Sequence, residues 1–226
     1  MNVLVVAAHP DDEVLGCGAT VARLAREGHS VFTAILGEGI TARYPQPGCA
    51  DQDSLEKMHD SSRRVADLLG VKEVSLHDLP DNRFDSLPLL EVVKLVEELL
   101  QRWRPAILYT HHAGDLNIDH QVVNRAVLTA VRPIPGGSVR EVYMFEVPSS
   151  TEWAFQQVAP AFKPNVFVNI EATLPLKLEG MQFYQSEVRK FPHPRSPQAL
   201  TAIAQRWGSV VGCEAAEAFE AAFIIR

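Results

Sequence analysis

Short apolar runs alternate with amphipathic helical segments through the first two thirds of the 226-residue chain. Residues 2–8 are apolar on both faces, which is typical of a central strand with helices packed on each side of the sheet. Because strands that are separated by helices join in parallel through right-handed crossovers, the pattern predicts an α/β fold. We expect a Rossmann-like, mainly parallel sheet with helices on both faces.

The individual elements follow from hydrophobic periodicity and from the glycine residues that close helices. We predict strands at 2–8, 29–37, 72–79, 105–110, 140–147 and 166–170. We predict helices at 13–27, 55–70, 89–103, 119–131, near 173–190 and near 197–207, with a loop at 38–53. Since the last third is less regular and rich in proline, we expect a single domain over 1–226 with a decorated C-terminal region.

Charge and cysteine content restrict the partners and the compartment. The net charge of -7 argues against nucleic acid or an anionic membrane surface as the main partner. Cys17, Cys49 and Cys213 are widely spaced and form no CxxC pair, so we expect neither a disulfide framework nor a thiolate zinc site. No apolar run of about 18 residues is present, and the apolar start is too short for a signal peptide. These features predict a cytoplasmic protein without a membrane span.

The first predicted strand ends in a histidine and three consecutive acids, His9-Pro-Asp11-Asp12-Glu13. In an open parallel sheet, ligands bind beyond the carboxyl ends of the strands, where these side chains are expected. Three adjacent carboxylates repel one another unless a cation joins them. The simpler alternative is that one of the acids is only the N-cap of the following helix, although a cap needs one acid and no histidine.

A dinucleotide site is a second alternative. The segment GCGAT at 16–20 resembles a broken glycine fingerprint, and Glu38 follows at about the distance of a ribose-binding acid. However, these glycines come after the acids, inside the predicted helix. A pyrophosphate would meet three carboxylates there instead of free backbone amides, which disfavours this alternative.

A second polar cluster follows the predicted strand at 105–110, and it contains His111, His112, Asp115, Asn117, Asp119 and His120. If the strand order reverses beside the first strand, this loop faces the first polar cluster across the switch point. His9, Asp12 and His120 would then converge on one metal ion. Two imidazoles and one carboxylate leave an open position for water, which is the pattern of a hydrolytic zinc site.

The segments AHPDDE (8–13) and DLNIDH (115–120) resemble the LmbE/PIG-L family of zinc-dependent N-acetylglucosaminyl deacetylases, and the resemblance covers most of the chain. The segments PDNRFD (80–85), YQSE (184–187) and FPHPRSP (191–197) are similar to a bacterial branch of it. The resemblance implies that His9, Asp12 and His120 bind Zn²⁺ and that Asp11 is the general base. It also implies hydrolysis of an N-acylated amino sugar or glycoconjugate to acetate and a free amine.

The chain departs from the family pattern at Asn117, where many members carry the first histidine of an HPDH motif. The family pattern assigns that histidine to the oxyanion or to the leaving amine, and the acid two residues later, here Asp119, holds it. An amide can donate a hydrogen bond to an oxyanion but cannot deliver a proton. We therefore expect Asn117 and Asp119 to be catalytic, and the source of the amine's proton stays open among Asp11, His112 and His193.

Three arginines in predicted loops, Arg43, Arg83 and Arg195, are candidates for binding sugar hydroxyls or a phosphate, and each has the alternative of a solvated surface residue. His193, between two prolines, is a further candidate for substrate binding. Two alternatives to an amino-sugar deacetylase remain. One is a metal-dependent amidase acting on a non-sugar amide, and the other is a non-catalytic metal-binding module. The sequence leaves the oligomeric state open, with a homo-oligomer as one alternative.

Overall fold

The structure, a computed structural model, describes residues 1–41, 52–155 and 160–226. Within these ranges, one sheet contains the strands β1 (Asn2–Ala7), β2 (Ser30–Gly37), β3 (Glu73–Leu79), β4 (Ile107–His111), β5 (Glu141–Phe145), β6 (Val166–Asn169) and β7 (Ala216–Ile224). The α-helices are α1 (Asp12–Arg26), α2 (Gln52–Leu69), α3 (Leu89–Trp103), α4 (Ile118–Ala130), α5 (Leu174–Phe183) and α6 (Pro197–Val211). No helix in the described ranges is both long and apolar enough to cross a membrane.

The strand order of the sheet is β3-β2-β1-β4-β5-β7-β6. The strands from β3 through β5 pair in parallel, whereas β7 is antiparallel to both of its neighbours. The chain builds outward from β1 to β3 and then returns to place β4 on the other side of β1. This reversal creates a switch point at the carboxyl ends of β1 and β4, so the predicted mainly parallel Rossmann-like sheet is confirmed.

Helices cover both faces of the sheet, which explains why β1 has no polar face. Val3 and Val5 belong to the core cluster that α1 and α2 complete, whereas Leu4 and Val6 belong to the cluster formed with α3 and α4. All four side chains are fully buried. Burying one such side chain contributes about 1.5–3 kcal/mol, so β1 anchors the two core clusters and fixes where its carboxyl end lies.

The C-terminal region differs from the sequence-based expectation in two respects. The helix predicted near 173–190 ends at Phe183, and residues 216–224, for which no element was predicted, form β7. The sequence of β7, AEAFEAAFI, contains four alanines and two glutamates, which favour helix over strand. Its strand conformation is imposed by pairing with β5 on one side and β6 on the other, because this pairing satisfies its main-chain groups.

Helix α1 is interrupted at Cys17, whose φ of -148° is not helical. A buried ion pair from the C-terminal region satisfies the main-chain groups on both sides of this break. Glu217 accepts hydrogen bonds from the N–H groups of residues 19 and 20, at 3.2 and 2.7 Å. Lys177 donates to the carbonyl oxygen of Leu15 at 2.7 Å and to Glu217 at 2.6 Å. The C-terminal region therefore supports the helix that carries the first polar cluster.

Candidate active site

The polar clusters that follow β1 and β4 form one buried site at the switch point. Nδ1 of His9 lies 3.4 Å from Oδ2 of Asp12, and Nε2 of His120 lies 3.2 Å from the same oxygen. One potential ligand atom from each residue lies within 4.8 Å of the other two. The structure thus brings together the three residues that the sequence nominates as metal ligands, and we call them the metal triad.

The electrostatics of the metal triad favour a positive charge. Burial lowers the pKa of His9, but the carboxylates of Asp119 and Asp12 raise it overall to about 10. Burial likewise lowers the pKa of His120, but Asp12 and Asp115 raise it to about 9. Burial raises the pKa of Asp12, whereas the adjacent His120 and His9 hold it well below its usual value. A metal cation can replace the protons on these imidazoles, and its binding would release them.

Asp115 holds the second ring nitrogen of His120. Its Oδ1 lies 3.1 Å from Nδ1 of His120, in a contact bent away from ideal hydrogen-bond geometry. The same carboxylate accepts hydrogen bonds from the N–H of Asn117 at 2.8 Å, from Thr151 Oγ1 at 2.8 Å and from the hydroxyl of Ser150. Such a carboxylate orients an imidazole ligand and makes it a better donor to a metal. Sequence analysis assigned no role to Asp115, although the need of a ligating imidazole for such a partner is a usable signal.

Asp119 holds the second ring nitrogen of His9. Its Oδ2 lies 2.9 Å from Nε2 of His9, and the carboxylate also accepts the N–H groups of Asn82 at 2.6 Å and Phe84 at 2.9 Å. A second acid, Asp81, lies slightly farther from the same nitrogen, with its Oδ1 3.3 Å from Nε2 of His9. Since His9, Asp81 and Asp119 also lie close together, they resemble a second ligand group. Asp119 already accepts two main-chain hydrogen bonds, which indicates that it supports the ring of His9 and is not itself a metal ligand.

Asp11 and Asp12 have different surroundings although they are adjacent. Asp11 has a φ of 102° and occupies the N-cap position of α1, but its side chain makes no capping hydrogen bond. Its Oδ2 accepts a hydrogen bond of 2.7 Å from Nη1 of Arg195, which also lies 3.2 Å from Glu187. Burial raises the pKa of Asp11 well above its usual value, and Asp12 raises it further, although Arg195 lowers it. The helix-cap alternative therefore has no support in the geometry of Asp11.

Asn117 is the N-cap of α4 and lies at the edge of the site. Its Oδ1 accepts a hydrogen bond of 2.8 Å from the N–H of Asp119, and its Nδ2 donates to Oδ1 of Asn82 at 3.1 Å. The carboxylate of Asp119 is directed to His9 and not to the Asn117 side chain. An amide nitrogen carries two hydrogens, so Asn117 keeps one donor beyond its contact with Asn82.

Two histidines at the end of β4, His111 and His112, are held by contacts within the fold. His112 is buried, with Nδ1 2.7 Å from Glu220 and Nε2 2.8 Å from the carbonyl oxygen of Pro160. His111 accepts the N–H of Ala8 at its Nε2, at 2.8 Å, and its ring stacks on His120 with centroids 4.0 Å apart. Burial lowers the pKa of His111 to about 3, and the nearby His120 lowers it as well. His111 is thus a neutral support that joins the ends of β1 and β4.

The candidate substrate-binding residues occupy different positions. Arg195 contacts Asp11 as described above, and Arg43 lies outside the described residues. Arg83 is exposed, and its guanidinium makes no hydrogen bond or ion pair with another described residue. His193 is half-buried, accepts the N–H of Arg195 at 3.1 Å, and lies edge-on to the ring of Trp153 with centroids 5.4 Å apart. Arg195 and His193 therefore belong to one loop beside the site.

Comparison with known proteins places this chain among deacetylases of one family. Residues 4–131 match the PIG-L family, described as GlcNAc-PI de-N-acetylase. The chain is 28% identical over 191 residues to the uncharacterized deacetylase YaiS of Escherichia coli, covering 82% of this chain and 91% of YaiS. It is 25% identical over 232 residues to the diacetylchitobiose deacetylase of Thermococcus kodakarensis, covering 96% of this chain and 81% of that protein.

A solved structure shares the fold. The N,N'-diacetylchitobiose deacetylase of Pyrococcus horikoshii superposes with a TM-score of 0.76 and 21% identity, covering 97% of this chain and 83% of that one. Because the match over residues 4–131 includes more than half of the chain and both polar clusters, this protein belongs to the PIG-L family of deacetylases.

Proposed function

We propose that this deacetylase holds a zinc ion at the metal triad and hydrolyses the N-acetyl group of an amino sugar or its glycoconjugate. The observation that carries the proposal is the convergence of His9, Asp12 and His120 at the switch point, with a carboxylate supporting each imidazole. Two of the relatives, from Thermococcus kodakarensis and Pyrococcus horikoshii, are deacetylases of diacetylchitobiose, which is built from acetylated amino sugars. The products are acetate and a free amine.

The donor set fits zinc. Two imidazole nitrogens and one carboxylate oxygen are ligands that zinc accepts, and three protein ligands are typical of catalytic zinc sites. When bound, zinc would polarise the acyl carbonyl and lower the pKa of a bound water toward about 7. The outer carboxylates of Asp115 and Asp119 would keep the ring nitrogens that face the metal free of protons.

Asp11 is the proposed general base. Its carboxylate contacts Arg195 and makes no contact with either imidazole of the metal triad among the described residues, so it is free to accept a proton. Arg195 binds one carboxylate oxygen, which leaves the other oxygen of Asp11 for the attacking water. We assign Arg195 to the positioning of Asp11, since its guanidinium is shared between Asp11 and Glu187.

Proton delivery to the leaving amine is assigned to Asp11 as well. His112 is unsuited because Glu220 and the carbonyl of Pro160 engage both of its nitrogens. Asn117 is assigned to the oxyanion through the remaining hydrogen of its amide nitrogen. Asp119 acts through His9 and is therefore a positioning residue. His193, Arg83 and Arg43 stay proposed substrate contacts.

Acetate release from a substrate panel tests the proposal. The panel contains N-acetylglucosamine, diacetylchitobiose, a UDP-linked N-acetylhexosamine, an N-acetylated glycolipid and an N-acetyl amino acid, each with metal-stripped and zinc-loaded protein. We expect equal amounts of acetate and free amine from at least one sugar, only with metal. Release from the amino acid alone would favour an amidase, and zinc binding without release from any compound would favour a non-catalytic module.

A further inference from the structure

The backbone of Asp11 adopts a conformation that side-chain-bearing residues rarely occupy, with φ 102° and ψ -28°. Such conformations persist only where the surrounding structure determines them strongly, and they cluster at functional sites. We propose that Glu13 and Tyr184 are positioning residues that hold Asp11 in this conformation. The inference rests on the proposed role of Asp11 as the general base.

Glu13 binds the main chain of Asp11 directly. Its Oε2 accepts a hydrogen bond of 3.0 Å from the N–H of Asp11. The side chain is only 5% exposed, although an acid in the first turn of a helix needs no burial to favour the helix dipole. Burying a carboxylate is unfavourable unless hydrogen-bond donors surround it, so its position requires a further partner.

Tyr184 supplies that partner from the C-terminal region. Its hydroxyl donates a hydrogen bond of 2.6 Å to Oε1 of Glu13 and lies 3.1 Å from the hydroxyl of Ser62. Tyr184 is 1% exposed and immediately follows α5. The hydroxyls of Tyr184 and Ser62 and the carboxylate of Glu13 thus form a continuous buried link to the backbone of Asp11.

The two ends of Asp11 are held independently. Glu13 fixes its main-chain N–H, and Arg195 fixes its carboxylate at 2.7 Å. The N–H of His9 is in turn bound by Asp12 at 2.9 Å, so the turn sends one acid to the metal triad and the other to Arg195. The carbonyl oxygen of Asp11 accepts the N–H groups of Val14 and Leu15 in α1, at 3.0 and 2.9 Å. Without the Glu13–Tyr184 link, the N–H side of Asp11 loses its hydrogen bond, and the carboxylate no longer has a fixed direction toward the attacking water.

A double-mutant cycle tests the inference. Tyr184→Phe is compared with the wild type, and Asp11→Asn with the Asp11→Asn/Tyr184→Phe double variant, all loaded with zinc. We expect Tyr184→Phe to lower kcat by about tenfold with little change in KM or metal content, as for other outer-shell supports. In the Asp11→Asn background the same change should cost nothing further, because its effect acts through Asp11. An equal loss in both backgrounds would overturn the inference.

A second series does not depend on the residual activity of Asp11→Asn. Glu13→Gln keeps an oxygen for the N–H of Asp11 and an amide for the oxygen of Tyr184, whereas Glu13→Ala keeps neither. At matched metal content, we expect Glu13→Gln to retain most of the kcat that Glu13→Ala loses. Equal activity of the two variants would show that the link does not position Asp11.

Tyr143→Phe is the matched control. Tyr143 lies on β5, away from the polar clusters, and its hydroxyl also donates to a glutamate, Glu141, at 2.5 Å in a partly buried contact. We expect unchanged kcat, and thermal unfolding of every variant separates loss of folding from loss of positioning. Full activity of Asp11→Asn, or no acetate from the wild type, would instead overturn the proposed function itself.

Discussion

The segments that follow β1 and β4, including the first turns of α1 and α4, supply the three residues of the metal triad. The segment between α5 and α6 supplies Arg195, which contacts Asp11, and Tyr184, which contacts Glu13. The first region lies within the family match at residues 4–131, and the second lies beyond it. The proposed metal ligands and the proposed base thus belong to the regular βαβ part of the chain. The contacts of Tyr184 and Arg195 come from a region with less regular sequence, whereas Asp115 and Asp119, which support the imidazoles, lie within the first region. The first region therefore holds the metal triad together with its supporting carboxylates, and the second region adds contacts to Asp11 and Glu13 from a distant part of the chain.

The largest effect is expected from a ligand of the first region. Wild-type protein should bind about one divalent ion per chain, and His120→Ala should bind almost none, because only two protein ligands remain. Acetate release should fall below detection. Metal analysis after dialysis measures the ion content of the wild type and of His120→Ala, with His77→Ala on β3 as the control for loss of a histidine. Retention of full metal content by His120→Ala would place the metal elsewhere.

Substitution of the two adjacent acids, Asp11 and Asp12, should lower activity for different reasons. Asp11→Asn should keep metal and lose about 10²–10⁴-fold in kcat, because an amide cannot accept the proton of the attacking water. Asp12→Asn should bind metal weakly, since a neutral oxygen replaces a charged ligand, and added zinc should partly restore its activity. A zinc titration of kcat measures both variants. Rescue of Asp11→Asn by zinc, without rescue of Asp12→Asn, would exchange the two assignments.

Asn117 should affect both catalysis and stability. Asn117→Ala should lower kcat by about 10²-fold if the amide donates to the oxyanion, and loss of the N-cap should cost about 1 kcal/mol of stability. Asn117→Ser preserves a capping oxygen but lacks the amide donor. We therefore expect its melting temperature to recover and its kcat to stay low. A serine variant as active as the wild type would remove the oxyanion role.

The smallest effect on catalysis is expected from the ion pair that supports the break in α1. Lys177→Met leaves Glu217 buried without its cation, which should lower the free energy of unfolding by about 3–5 kcal/mol. Lys94→Met breaks an exposed pair with Glu97 and should cost about 1 kcal/mol or less. Denaturant unfolding measures both. A large loss of kcat in folded, metal-loaded Lys177→Met would show that this support also acts on the chemistry.

The regular part of the fold could be predicted because its pattern is local. The fully apolar β1 and the amphipathic α3 identify a buried parallel sheet without reference to distant residues. The polar clusters could also be predicted to meet, because strand topology restricts where the carboxyl ends of β1 and β4 lie. In contrast, β7 has helix-forming composition, and only its pairing with β5 and β6 makes it a strand.

The supports of the site could not be predicted because they join residues that are far apart in the chain. Asp119 holds His9 across 110 positions, Tyr184 holds Glu13 across 171, and Arg195 holds Asp11 across 184. No sequence spacing encodes such contacts. The first depends on how the segments after β1 and β4 meet, and the other two depend on how the irregular C-terminal region folds back over the sheet. The sequence by itself nominated the residues proposed to bind a cation, and its family resemblance nominated the acid proposed as the base. Only the tertiary structure decided the direction of each carboxylate, because adjacent acids such as Asp11 and Asp12 differ in nothing but backbone geometry and the partners that surround them.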